Sequence, residues 1–108
     1  MQAAILEKIG GPLTVADVSP EELHYGQVLV RVLASGICGA QLQEIAGHKG
    51  NGKYLQPLLG HEGCGVVEQV GPHVQRVKPG DRVVMHWRKA SGIEAAPARY
   101  KFNGGHAG

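Results

Sequence analysis

Residues Leu59-Gly60-His61-Glu62-Gly63-Cys64-Gly65-Val66-Val67-Glu68-Gln69-Val70-Gly71 decide how this 108-residue chain is read. A histidine–glutamate pair opens the stretch, Gly60, Gly63 and Gly65 are spaced through its first half, and a short apolar run follows. The pattern predicts a strand that begins with chemistry and ends in core. Glycine at 60, 63 and 65 weakens a strand, so its presence points to close approach of a ligand or another backbone, or to unusual dihedrals.

Upstream, Gly36-Ile37-Cys38-Gly39 has the same character. Cys38 and His61 supply a thiol and an imidazole, ligand types that suit zinc. They are separated by 22 residues, which is no local finger spacing. Spacing alone favours ordinary roles, a buried cysteine and a hydrogen-bonded histidine. Each residue, however, is flanked by glycine at an element end, where functional sites are commonly built. Glu62 is read equally well as a carboxylate near a metal or as a strand-edge partner of a basic side chain. Cys64, inside the strand, is expected to be a small buried hydrophobe. His24, His48, His73, His86 and His106 are scattered, and surface or hydrogen-bonding roles are expected of them.

Outward from this stretch, Gln2 to Ile9 reads as a first strand, ended by Gly10-Gly11-Pro12. Leu13 to Val18 reads as a second, and Ser19-Pro20-Glu21-Glu22 as a loop. Gln27 to Ala34 is the clearest strand, with Val28, Val30 and Val32 on one face and Leu29, Arg31 and Leu33 on the other. Good helix formers follow between Gly39 and Gly47, predicting a helix of two turns at most, with Leu42 and Ile45 on one face. Cys38 then lies at a strand-to-helix handover. Gly47 to Leu58 reads as loop. Lys78-Pro79-Gly80-Asp81 has the form of a type II turn, and Arg82 to Trp87 is the last clear strand. Beyond Arg88 no element is expected, Trp87-Arg88-Lys89 being a solvated strand end. About five or six strands, one short helix and many tight turns describe a mainly β chain of small-barrel type.

Apolar residues make up 43% of the chain, which suits a folded domain, and the 17 glycines suit a turn-rich one. A net charge of +2 and 5% aromatic residues argue against a nucleic-acid partner. The N-terminal residues have no signal-peptide pattern, and no apolar run approaches membrane-spanning length, so no membrane partner and a cytoplasmic setting are expected. Two cysteines make no disulfide framework. A homo-oligomer is left open. No Gly-rich dinucleotide fingerprint is present, so no cofactor-binding residues are assigned.

Taken together, Gly36-Ile37-Cys38-Gly39, Gly60-His61-Glu62-Gly63-Cys64-Gly65-Val66-Val67 and Val77-Lys78-Pro79-Gly80-Asp81-Arg82-Val83 resemble the zinc-dependent alcohol dehydrogenases of the medium-chain dehydrogenase/reductase family. The resemblance extends from about Ala3 to Trp87. It implies a GroES-like, partly open β-barrel with one short helix over residues 1–108. That would be a catalytic domain whose Rossmann cofactor domain follows elsewhere in a longer chain. It also implies catalytic Zn2+ held by Cys38 and His61 with Glu62 beside it, NAD(P) in the full-length protein, and a small alcohol or carbonyl substrate. Ala40 stands where that family usually has a proton-relaying Ser or Thr. Gln41 stands where an aspartate is common, and Gln43 where some members place histidine. No cysteine follows Cys64, so the four-cysteine structural zinc lobe of many members is absent. The alternative expectation is a non-enzymatic GroES-like assembly or metal-binding module.

Overall fold

The structure is a computed structural model that describes residues 1–48, 58–102 and, for the backbone, 105–107. The expected loop over 47–58 therefore falls mostly outside the described residues. Described elements run β1 Gln2–Leu6, β2 Leu13–Asp17, β3 Ser19–Pro20, β4 Val28–Ser35, α1 Gly39–Ile45, β5 Glu62–Val70, β6 Arg82–His86, β7 Tyr100–Phe102 and β8 Gly105–Ala107. Among the described residues the chain is mainly β with one short helix, and hydrogen bonding groups the strands into three separate sheets. Among the described residues no helix is long and apolar enough to cross a membrane.

The chain divides into two compact units. The first comprises Met1–Glu21, Ile37–Gly60 and Arg99–Gly108. In it β1 and β2 form an antiparallel hairpin with Leu6 opposite Leu13. The first strand ends at Leu6 rather than Ile9 because the turn already begins at Lys8, whose carbonyl accepts the Gly11 N–H at 2.9 Å. Ile5, Leu6 and Val18 are fully buried, and Leu58 bridges to Ile5. The Gly10 N–H donates to the Ile45 carbonyl at the end of α1, which gives one of the helix's open carbonyls a partner.

Two expectations are corrected in this unit. Ser19–Pro20, read as loop, pairs with Tyr100–Lys101, and β7 pairs in turn with β8. The region after Arg88, read as structureless, thus carries two strands. Both are three residues long and held by pairing distant in sequence, which no local pattern announces. In α1 the buried residue is Gln41, whereas Leu42 is 65% exposed.

The second unit comprises Glu22–Gly36 and His61–Ala98. Its frame is the antiparallel sheet β4-β5-β6, with β5 in the middle. The expected split of β4 into one core face and one mixed face is not what forms. Val28, Leu29 and Val30 are all half-buried, while Val32 and Leu33 are 57% and 50% exposed. Register shifts at Leu29/Val30 and Val32/Ala34 interrupt the alternation, as bulges do. The sheet's fully buried apolar side chain is Val67.

The turn Lys78-Pro79-Gly80-Asp81 forms as read. Gly80 has φ 94°, and the Asp81 N–H donates to the Lys78 carbonyl at 3.1 Å. The turn is tied to β5 by two bonds, Val67 N–H to the Asp81 carbonyl and Gly80 N–H to the Val67 carbonyl. Residues 88–98 are held to the same unit by side chains. Gln27 Nε2 donates to the Ala96 carbonyl at 3.1 Å, and Arg76 Nη1 donates to the Ser91 carbonyl at 3.0 Å.

Two outcomes follow from this frame. At Gly65 a Cβ would run into the Arg31 carbonyl oxygen and come within 2.6 Å of Val30 Cγ1. A backbone carbonyl inside a ladder cannot move aside, so Gly65→Ala should cost about 1–3 kcal/mol in urea unfolding. Gly39→Ala, where a Cβ meets open space, should leave the midpoint unchanged or raise it slightly. The second outcome concerns Asp81. Hydrogen bonds from the Lys78 ammonium and then the Lys78 backbone N–H hold its carboxyl below its ordinary 3.8. A lowered folded pKa gives stability that is present above 3.8 and lost as pH falls through the folded value. Asp81→Ala should therefore lower the urea midpoint modestly at neutral pH, and the gap to wild type should close in acid.

Candidate metal centre

Cys38 is the N-cap of α1, with extended backbone at φ −122°, ψ 164°. Cysteine is not among the favoured caps, which carry a side-chain oxygen. Here its sulfur takes that role, Sγ accepting the Ala40 N–H at 3.3 Å and also the Gln41 N–H. Gln41 completes the arrangement from the third helical position, its Oε1 accepting the Cys38 N–H at 2.8 Å. This is a reciprocal capping box with sulfur in place of a hydroxyl. The Gln41 N–H is shared, since it also donates to the Cys38 carbonyl at 3.1 Å. The handover from strand to helix at Cys38 is as the sequence implied.

His61 and Glu62 belong to the second unit, and Cys38 to the first. His61 is half-buried and follows Gly60, whose φ of 119° is reserved to glycine. The strand expected from Leu59 therefore begins only at Glu62, and His61 precedes it. Glu62 is exposed, and its carbonyl accepts a hydrogen bond from Ser35 Oγ at 3.0 Å. Its carboxylate lies over Gly36: a Cβ there would strike Oε1 and come within 2.9 Å of Cδ. The glycine of the Gly36-Ile37-Cys38-Gly39 segment thus makes room for the carboxylate of the second segment. Among the described residues no group of three or more His, Cys, Asp or Glu side chains is gathered for a metal ion.

Cys64 lies opposite Ala34 and Val84 and is half-buried rather than fully buried. The face it shares with Val84, which is 76% exposed, is open. Both thiols are free. Among the scattered histidines, His86 and His73 make local side-chain contacts. The His86 ring Nδ1 accepts the Arg88 N–H at 3.0 Å, and His73 packs against Tyr25 with ring centroids 5.0 Å apart. Trp87 is an exposed strand end with the Arg88 guanidinium 5.8 Å from its ring.

Each of the Cys38, His61 and Glu62 side chains, taken by itself, is of a type that zinc binds. A thiol with N–H donors at its sulfur, an imidazole and a carboxylate in a cradle left by a missing Cβ are the ligand types that metal takes. The capping role of Gln41 was missed in the sequence. Its signal, a Gln three residues after a possible cap, was present, but cysteine is not looked for at that position.

The family model described as the alcohol dehydrogenase GroES-like domain matches residues 24–106. An alcohol dehydrogenase of Geobacillus stearothermophilus is 42% identical over 87 residues, covering 81% of this chain and 26% of that protein. A geraniol dehydrogenase of Castellaniella defragrans is 43% identical over 84 residues, covering 78% and 22%. An S-(hydroxymethyl)glutathione dehydrogenase of Paracoccus denitrificans is 41% identical over 83 residues, covering 77% and 22%. The chain thus spans about a quarter of the length of these relatives. With the family model matching most of its length, this chain belongs to the alcohol dehydrogenase GroES-like domain family.

Proposed function

We propose that this chain is the catalytic-domain portion of a zinc-dependent, NAD(P)-linked oxidoreductase that interconverts a small alcohol and its carbonyl compound. Family membership carries the reading, since similar proteins are named as alcohol dehydrogenases. In this reading Cys38 and His61 hold zinc, and Glu62 stands beside it as a second-shell or exchangeable carboxylate. The chemistry that zinc supplies when bound is Lewis-acid polarisation of the substrate oxygen, which favours transfer of hydride to or from the neighbouring carbon. In this reading the nicotinamide that exchanges this hydride is held by a Rossmann domain outside residues 1–108, as the family resemblance implies. A cytoplasmic protein whose catalysis needs that second domain completes the reading.

The chain's own residues divide the work. The capping box presents the Cys38 sulfur at the start of α1. Gly36 gives the Glu62 carboxylate its place, and Ser35 anchors the Glu62 backbone. Ala40 has no polar side-chain atom, so it cannot pass the alcohol's proton, and that proton leaves by a route without a hydroxyl at this position.

Metal content is the first test. Protein purified at its natural length should carry stoichiometric zinc, lost in Cys38→Ser and in His61→Ala, as read by atomic emission. Unchanged zinc in both variants would exclude these ligands. Turnover by a zinc-free protein would discard both the role of zinc and the non-enzymatic alternative. Gly36→Ala tests Glu62 separately. The added methyl displaces a flexible carboxylate rather than backbone, so fold and zinc content should persist. Alcohol oxidation should drop about 10-fold or more, the usual cost of disturbing a group beside a metal.

A further inference from the structure

We propose that the outer edge of β6 is an interaction surface for a second copy of this chain, the two β6 strands pairing antiparallel about Val84. The ladder between β5 and β6 decides which way the backbone of β6 faces. Val67 N–H donates to the Asp81 carbonyl, whereas the Glu62 carbonyl is turned to the other side of β5, where Ser35 Oγ donates to it. Bonding direction alternates along a strand, so Gly63 and Gly65 face β6, and their register partners Met85 and Val83 face β5. The N–H and C=O groups of Arg82, Val84 and His86 therefore point outward. β6 is the last strand in the order β4-β5-β6, and among the described residues nothing bonds that edge.

Edge strands usually carry protection against such pairing: bulges, proline or lysine. β4, the opposite edge of the sheet, has register shifts at Leu29/Val30 and Val32/Ala34. β6 pairs with β5 without a shift, and its sequence Arg-Val-Val-Met-His contains no Pro, Gly or Lys. At its centre Val84 is 76% exposed. Self-complementarity selects the occupant. A two-fold axis at Val84 sets Val84 opposite the partner's Val84, Val83 opposite the partner's Met85, and Arg82 opposite the partner's His86. Arg82, Val84 and His86 then each exchange both backbone bonds, and a β-branched pair sits on the axis. The apolar row Ala34–Cys64–Val84 is continued by its own copy across the axis. Charge agrees with this register. Glu62 lies opposite His86 on the same face, so the partner's Arg82 extends a row that carries a carboxylate. No carboxylate meets a carboxylate and no Arg meets an Arg.

The test is sedimentation equilibrium of the full 108-residue chain over a concentration series, with amide hydrogen exchange read residue by residue. A monomer–dimer equilibrium is expected. Val83 and Met85 should be protected at every concentration, since β5 bonds them, while protection of Arg82, Val84 and His86 should rise with dimer. Val84→Lys keeps the backbone donor but sets two ammonium groups face to face on the axis. It should weaken association by about 10-fold or more. Val84→Pro removes an outward N–H and should have the same effect; circular dichroism and urea unfolding report whether either variant keeps its fold, and the Lys variant, at an exposed position, stands in should the Pro variant lose it. Val15→Lys, at an exposed valine of the first unit, should leave association unchanged. A chain that stays monomeric would overturn the proposal. So would outward amides protected independently of concentration, which would mean that the chain covers its own edge. Association that survives Val84→Lys, or falls equally in Val15→Lys, would overturn it too. None of these outcomes bears on zinc content, so the reading of the metal centre stands or falls separately.

Discussion

β5 is paired along both edges, and the second unit depends on that double pairing. Gly65 faces Val32 on one side and Val83 on the other, and the Arg31 carbonyl occupies the space a side chain would need. The local intrinsic cost of glycine in a strand is accepted because nothing larger fits. From this strand the rest of the unit is hung. The Lys78–Asp81 turn is bonded to Val67, and the 88–98 segment is bonded to Gln27 and Arg76.

The chemistry-bearing side chains sit at the ends of their elements rather than within them. Glu62 is the first residue of β5, His61 precedes it, and Cys38 starts α1. Element ends leave backbone donors and acceptors open, and here those groups are spent on the side chains: N–H groups on the Cys38 sulfur, a carbonyl on Ser35. The glycines around them have distinct tasks. Gly36 supplies room, Gly60 supplies a left-handed turn, and Gly65 supplies close packing.

Apolar burial within the described residues is modest. Ile5, Leu6, Val18 and Val67 are the fully buried apolar side chains, while Val32, Leu33, Leu42 and Val84 are largely exposed. Ladder bonds, turn bonds and side-chain staples therefore carry a large share of the order in each unit. β3, β7 and β8 are short strands held by their pairing.

Local chemistry was sufficient for much of this. Pro79-Gly80 specifies its turn because proline presets one dihedral and glycine tolerates the next. The β-branched run at 28–32, the helix formers after Gly39 and the glycine-marked strand after His61 each declare their element from neighbouring residues alone. Family membership was legible too, through the His61-Glu62 and Lys78-to-Val83 segments. Folding in three dimensions decided the remainder. Ser19 meets Lys101 across most of the chain, and no periodicity in two or three residues can signal such a partner. Bulges in β4 cancelled the alternation its sequence displays, since a register shift moves side chains to the other face. The pairing of Gln41 with Cys38 and of Glu62 with Gly36 was hidden for the same reason: a hydrogen bond or a missing Cβ has meaning only once the backbone has placed both groups within reach.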